Sequence, residues 1–227
     1  MISKSTQTKQ EIADLHPDNR YQTPVSLAVA AMQKVRKTIP LDHDIMIDLG
    51  CGDLPVWAIA ARKAGFQEPI AGVDVRAVNP PGDWYDFYVY PETSFDKAPI
   101  ACKAPLVFGN PPFSEVRNIV MYYHETYSFG WLYLLLKLEF MSPKTTGYAK
   151  RDDIWKEIKP GHIFPIGKRP GWWYYTPEMG FSRKTNSTDY AMYSWNLSRR
   201  PYHSYIHPMD WEIDEDLENL VKGMVAK

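Results

Sequence analysis

The stretch Ile45-Met46-Ile47-Asp48-Leu49-Gly50-Cys51-Gly52-Asp53 decides the fold. Three apolar residues, with charge before them and glycine after, read as a buried strand ending at Asp48. The two glycines make a tight turn and let the backbone approach a ligand closely. A helix opens next over residues 54–64, with Asp53 as its N-cap and Gly65 as its stop. The free N–H groups at such a helix start favour an anionic group. A second short strand follows over 70–75. Strand, helix and strand at this spacing predict a right-handed parallel crossover. Asp74 falls at the end of that strand, 22 residues after Gly52, where an acid can accept hydrogen bonds from ribose hydroxyls. The sixth position from Gly50 is Pro55, where a dinucleotide fingerprint needs a small residue, so nicotinamide and flavin binding are disfavoured.

The alternation continues on both sides. Residues 23–37 read as a helix with Thr23 as cap, Pro24 in the first turn, and Leu27, Ala30 and Ala31 on one face. Further strands are predicted over 87–89, 105–108, 131–138, 162–166 and 191–197, the last of these closing the sheet. Helices are predicted over 114–127, with Ser114 as cap and Glu115 in the first turn, and over 145–158. Residues 167–188 read as a long irregular connection. The acidic tail (Asp210, Glu212, Asp214, Glu215, Asp216, Glu218) reads as a solvated helix face. The pattern is α/β with one main sheet. It divides into a polar segment over 1–20, one domain over 21–208 and the tail over 209–227.

Composition bounds the function. With 227 residues, 44% hydrophobic and 23% charged, the chain is an ordinary globular one. Two cysteines, Cys51 and Cys102, exclude a disulfide scaffold. The most apolar run, residues 131–136, is too short to span a bilayer, and the first 15 residues show no apolar signal core. The chain therefore reads as cytoplasmic, with no membrane partner. A net charge of −1 argues against broad coating of nucleic acid but leaves room for a local basic patch. The six histidines show no metal-ligand spacing with cysteine, so no metal is expected. Oligomeric state is not legible.

A second motif, Gly109-Asn110-Pro111-Pro112-Phe113, follows the strand at 105–108 and precedes a helix, about 60 residues beyond the glycine loop. Its residue types suit one chemistry. An exocyclic amine on a base is a poor nucleophile, because its lone pair is delocalised. The Asn110 side-chain oxygen and the Pro111 carbonyl can each accept one N–H of that amine and localise the pair. Proline fixes φ and donates no competing N–H. Phe113 offers a ring face for stacking on a base.

The tetrad of residues 110–113 resembles motif IV of amino-directed methyltransferases. The Asp48-Leu49-Gly50-Cys51-Gly52 loop is similar to that of class I S-adenosylmethionine-dependent methyltransferases. Tyr21-Gln22-Thr23-Pro24 resembles the N-terminal motif of DNA adenine enzymes of the gamma group, and the order of the three motifs is theirs. Residues 168–172 and 189–195 resemble the second half of small phage and prophage adenine methyltransferases.

That likeness implies a Rossmann-like class I methyltransferase sheet, mostly parallel with the last strand antiparallel, flanked by helices. It implies S-adenosylmethionine as cofactor, held by Asp48, Gly50, Gly52 and Asp74 and covered by Tyr21 and Thr23. Asp96, 14 residues before Asn110, would contact the cofactor adenine, with Asp83 as competitor. Asn110, Pro111, Pro112 and Phe113 would be catalytic. The expected activity is methyl transfer to adenine N6 in DNA, by a phage-type enzyme in its host's cytoplasm. Alternatives are the same chemistry on RNA (adenine N6 or guanine N2) or protein glutamine, and a non-catalytic nucleic-acid-binding subunit. Three departures from the family pattern stand out: Asp53-Leu54-Pro55 stands where many members carry a third small residue, Phe113 replaces the tyrosine of many DNA adenine enzymes and is common in ribosomal RNA guanine-N2 enzymes, and no separate target-recognition domain is read after the tetrad.

For polymer contact, the connection at 167–188 carries Lys168, Arg169, Arg183 and Lys184 against one acid, Glu178, and is rich in aromatics including Trp172. Basic residues interleaved with aromatics suit phosphate contact and base stacking. The competing reading packs the aromatics over the sheet edge.

Overall fold

The computed structural model describes residues 22–38, 43–74, 80–89, 100–113, 115–141, 154–155, 158–176, 180–185, 187–198 and 203–225, with the side chains of 174–176, 180–185 and 225 left aside. In chain order the elements are α1 (Val25–Thr38), β1 (Ile45–Leu49), α2 (Val56–Lys63), β2 (Ile70–Val73), β3 (Phe87–Val89), β4 (Pro105–Gly109), α3 (Val116–Thr126), β5 (Trp131–Lys137), β6 (His162–Pro165), β7 (Gly171–Thr176), β8 (Gly180–Thr185), β9 (Tyr190–Asn196), β10 (Tyr205–Ile206) and α4 (Glu215–Val225).

Eight strands form one sheet in the order β10-β6-β9-β5-β4-β1-β2-β3. Strands β1 to β5 pair in parallel. β9 runs antiparallel between β5 and β6. The mostly parallel sheet with an antiparallel strand near its end is the expected class, and the two-residue β10 pairs in parallel with β6 at the edge.

The central strands are apolar on both faces because both faces are covered. Met46, Leu106, Phe108 and Tyr133 pack against α1 and α2 on one side. Ile47, Val107, Leu132 and Leu134 pack with Ile119, Val120 and Tyr123 of α3 on the other. α1 buries Leu27, Ala28, Ala31, Met32 and Val35, a stripe of helical period. Among the described residues, no helix is long and apolar enough to cross a membrane.

Four local expectations change. The cap of α2 is Pro55, with no side-chain hydrogen bond, so Asp53 does not cap it. Glu115 stands at the cap position of α3, and Ser114 lies outside the described residues, as does most of 145–158. The connection at 167–188 is not irregular: β7 and β8 pair as an antiparallel hairpin. The consecutive aromatics Trp172, Trp173, Tyr174 and Tyr175 have high strand propensity. The tail is not wholly solvated, since Glu218 is only 2% exposed.

Candidate active site

β1 is flanked by β2 on one side and β4 on the other. The chain leaves β1 for β2 and β3, then crosses back to β4. The strand order reverses between β1 and β4, the place where open α/β sheets take ligands in a crevice beyond the carboxyl ends of their strands. Register places Leu49 opposite Gly109, so the Gly50 loop and Asn110 leave the sheet side by side. Gly109 has φ 151°, and a Cβ there would stand 2.2 Å from the Leu49 carbonyl oxygen. Only glycine lets the two strands end this close.

The loop after β1 folds over the end of β2. Gly50 and Gly52 have φ of 77° and 65°. The Gly50 and Cys51 N–H groups both donate to the Val73 carbonyl, at 2.7 and 3.1 Å. The Gly52 N–H donates to Asp74 Oδ2 at 3.0 Å. The two acids expected at the cofactor site are therefore brought together around the glycine loop, and both are buried.

Asp48 has one satisfied oxygen. Tyr85 donates its hydroxyl to Oδ2 at 2.5 Å, and Oδ1 is buried without a hydrogen-bond partner. Burial raises the Asp48 pKa to about 7; the Tyr85 bond opposes the rise and the Asp74 charge adds to it. Burial also pushes the Cys51 thiol far up, with the Asp48 and Asp74 charges adding to it, so Cys51 packs and does not react. An orphaned carboxylate oxygen beside a second buried acid suits a ligand with a cationic group. Tyr85 was not found from the sequence; its segment carries no periodicity that would place it.

Asn110 follows β4 on the same rim of the sheet as the glycine loop. Its Nδ2 donates to Thr23 Oγ1 at a long 3.5 Å. Its Oδ1 is buried without a hydrogen-bond partner, so the fold leaves a strong acceptor unsatisfied there. Pro111 is buried, Pro112 is exposed, and the Pro112 carbonyl accepts the Glu115 N–H at 3.0 Å, turning the chain into α3. Phe113 is half-buried, with the Tyr190 ring 6.4 Å away and the Lys137 ammonium 5.2 Å from its centroid.

Thr23 is held from behind. Gln22 and Trp173 exchange backbone hydrogen bonds of 2.9 and 3.2 Å, so the segment ahead of α1 pairs with β7. Tyr21 and Asp96 lie outside the described residues, and Asp83 is exposed. Among the described residues, no group of three or more His, Cys, Asp or Glu is placed to hold a metal ion.

The polymer-contact set divides. Lys168 is exposed, its ammonium 5.9 Å from the Trp211 ring. Arg169 is exposed and paired with Asp189 at 2.7 Å. Arg183 and Lys184 lie on β8, with side chains outside the described set. Trp172 departs from its expected role. It is 2% exposed and packs edge-on against Tyr190 at 4.7 Å, so its ring is core and offers no stacking face.

No protein-family model and no curated protein sequence matches the chain. Solved structures do. The methyltransferase subunit of a type I restriction-modification system from Streptococcus thermophilus superposes with a TM-score of 0.60 at 10% identity, over 96% of this chain and 56% of that one. A protein from Vibrio vulnificus, assigned as the modification subunit of a type I restriction enzyme, superposes with a TM-score of 0.50 at 12% identity, over 88% of this chain and 49% of that one. The chain thus spans about half the length of these structures. At such identity the likeness is one of architecture, and the architecture is that of the Rossmann-like methyltransferases.

Proposed function

We propose that this chain transfers a methyl group from S-adenosylmethionine to the exocyclic N6 amine of adenine in DNA. The observation that carries the reading is the buried, unpartnered Oδ1 of Asn110, which stands at the end of β4 beside the glycine loop of β1. The cofactor, when bound, supplies an electrophilic methyl on a sulfonium.

The chain's own residues do the rest. Gly50 and Gly52 keep the loop free of side chains, and Asp74 is fixed by Gly52 to meet ribose hydroxyls. The unpaired oxygen of Asp48 answers positive charge. Asn110 Oδ1 and the Pro111 carbonyl accept the two N–H bonds of the target amine and draw its lone pair out of the ring system. Phe113 stacks on the base, braced by Tyr190. Held geometry supplies most of the acceleration. A base in a duplex must leave its stack to reach Asn110.

DNA as the polymer is supported by the gamma-type order of the motifs and by the restriction-modification names of the two structures above. The test is methyl transfer from labelled cofactor to duplex DNA, structured RNA and protein, with wild type and Asn110→Ala in parallel. N6-methyladenine in DNA that disappears in the variant is the expected result. Transfer to RNA or protein alone would move the substrate, and cofactor binding without any transfer would point to a non-catalytic subunit.

A further inference from the structure

The C-terminal helix reaches the proposed catalytic site through one buried carboxylate. Glu218 of α4 accepts three hydrogen bonds. Ser26 donates its backbone N–H at 3.0 Å and its hydroxyl at 2.6 Å to Oε1, and Trp173 donates Nε1–H at 2.6 Å to Oε2. Ser26 is the second residue of α1, so its N–H is one that the helix cannot satisfy itself. A carboxylate from 192 residues away caps α1.

These two contacts bracket the segment that holds Thr23. Ser26 fixes the start of α1 on one side. Trp173 on the other side pairs with Gln22 through its backbone. The junction of Gln22, Thr23, Val25, Trp173 and Glu218 is tight, with a cavity of only about 10 Å³, no more than one water could fill. The Lys222 ammonium lies 4.2 Å from the Trp173 ring and holds it from the solvent side. Thr23 Oγ1 receives the Asn110 amide N–H. That long contact favours the orientation in which Oδ1, and not Nδ2, is the end of the Asn110 amide without a partner. If Thr23 drifts, the amide can turn and present two donors to an amine that needs an acceptor.

We infer that Glu218 is a positioning residue for the Asn110 amide, acting through Ser26 and Trp173 on the Gln22–Thr23 segment. This rests on the function proposed above. The test is Glu218→Gln in the full chain. It keeps the shape but places an NH₂ against one of three donors. A merely structural contact would change melting alone, so three quantities are read: the melting temperature, kcat at saturating substrates well below melting, and the Asn110 side-chain amide resonances, identified by their loss in Asn110→Ala.

The expected result is a folded variant with kcat lowered about tenfold or more and the Asn110 amide resonances shifted. A kcat within about twofold of wild type with unmoved resonances would overturn the inference. Should Glu218→Gln fail to fold, Ser26→Ala carries the same test, since alanine keeps the helix and removes one donor. A wild type that methylates nothing, with Asn110 resonances that still shift in Glu218→Gln, would sink the proposed function and leave the coupling standing.

Discussion

Tyr85 donates its hydroxyl to Asp48 across 2.5 Å, joining the loop before β3 to the carboxyl end of β1. Among the described residues it is the one hydrogen bond that the fully buried Asp48 carboxylate receives, and its effect does not outweigh that of burial. The acid titrates near 7 in the folded chain against an ordinary 3.8. A folded pKa raised above the unfolded one makes the folded state hold the proton longer. Stability from this group is fully present below about pH 4 and is lost as pH rises to about 7. Asp48→Asn removes the titration. Its melting temperature should exceed that of wild type by roughly 8–16 °C at pH 8 and match it near pH 4. A difference that does not vary with pH would contradict the assignment.

The same acid links binding to protons. A cationic ligand favours the carboxylate form, so binding should release up to one proton near pH 6.5, and affinity should rise with pH through about 7. Calorimetry of S-adenosylmethionine binding in buffers of different ionisation enthalpy measures this directly. Asp48→Asn should abolish the release.

Thr23→Val keeps the shape and removes the oxygen that faces Asn110. The expected effect is a kcat lowered about tenfold with the cofactor dissociation constant changed less than about threefold. Equal loss in both would instead place Thr23 against the cofactor.

Gly109→Ala should be among the most damaging single changes. Its Cβ would meet the Leu49 carbonyl in a backbone region that disfavours side chains, and neither strand can retreat from the sheet. We expect a loss of more than about 3 kcal/mol in denaturant unfolding. Trp172→Ala should likewise destabilise by about 3–5 kcal/mol, because the ring is core.

Arg169 and Asp189 form an exposed pair. Phosphate would compete with Asp189 for the guanidinium. Asp189→Ala should therefore tighten nucleic-acid binding, while alanine at Lys168, Arg169, Arg183 and Lys184 together should weaken it and flatten its salt dependence. Salt titrations of DNA binding separate the two; no change in either variant would remove this face from the interface.

The parallel half of the fold was legible because it is written locally. Residues 45–53 and 105–113 each carry a strand, its end and a motif in one stretch, so Asp48 and Asn110 could be located without coordinates. That their strands are neighbours was legible only through resemblance, since register is a long-range property. The hairpin of β7 and β8 was missed because prolines and charges around its aromatic runs imitate a loop, and Trp172 looked like an exposed ring for the same reason. Glu218 was hidden among acids that are exposed. Charge density marks a solvated face on average, and no local pattern shows which member turns inward to Ser26 and Trp173.

Because β9 runs against its neighbours, it begins where β5 ends: Tyr190 lies opposite Lys137. β6 also ends on that side, with Pro165 opposite Ala191. The whole of 167–189 therefore leaves the sheet and rejoins it at the rim that carries Gly50 and Asn110. Residues added between Thr176 and Gly180 would lengthen the β7–β8 hairpin without rethreading a strand of the eight-stranded sheet. β7 itself stays, because Trp172 is core and Trp173 ties Gln22 and Glu218 to it. On the proposed function, the eight-stranded sheet would place the methyl group and a hairpin of adjustable length would meet the target.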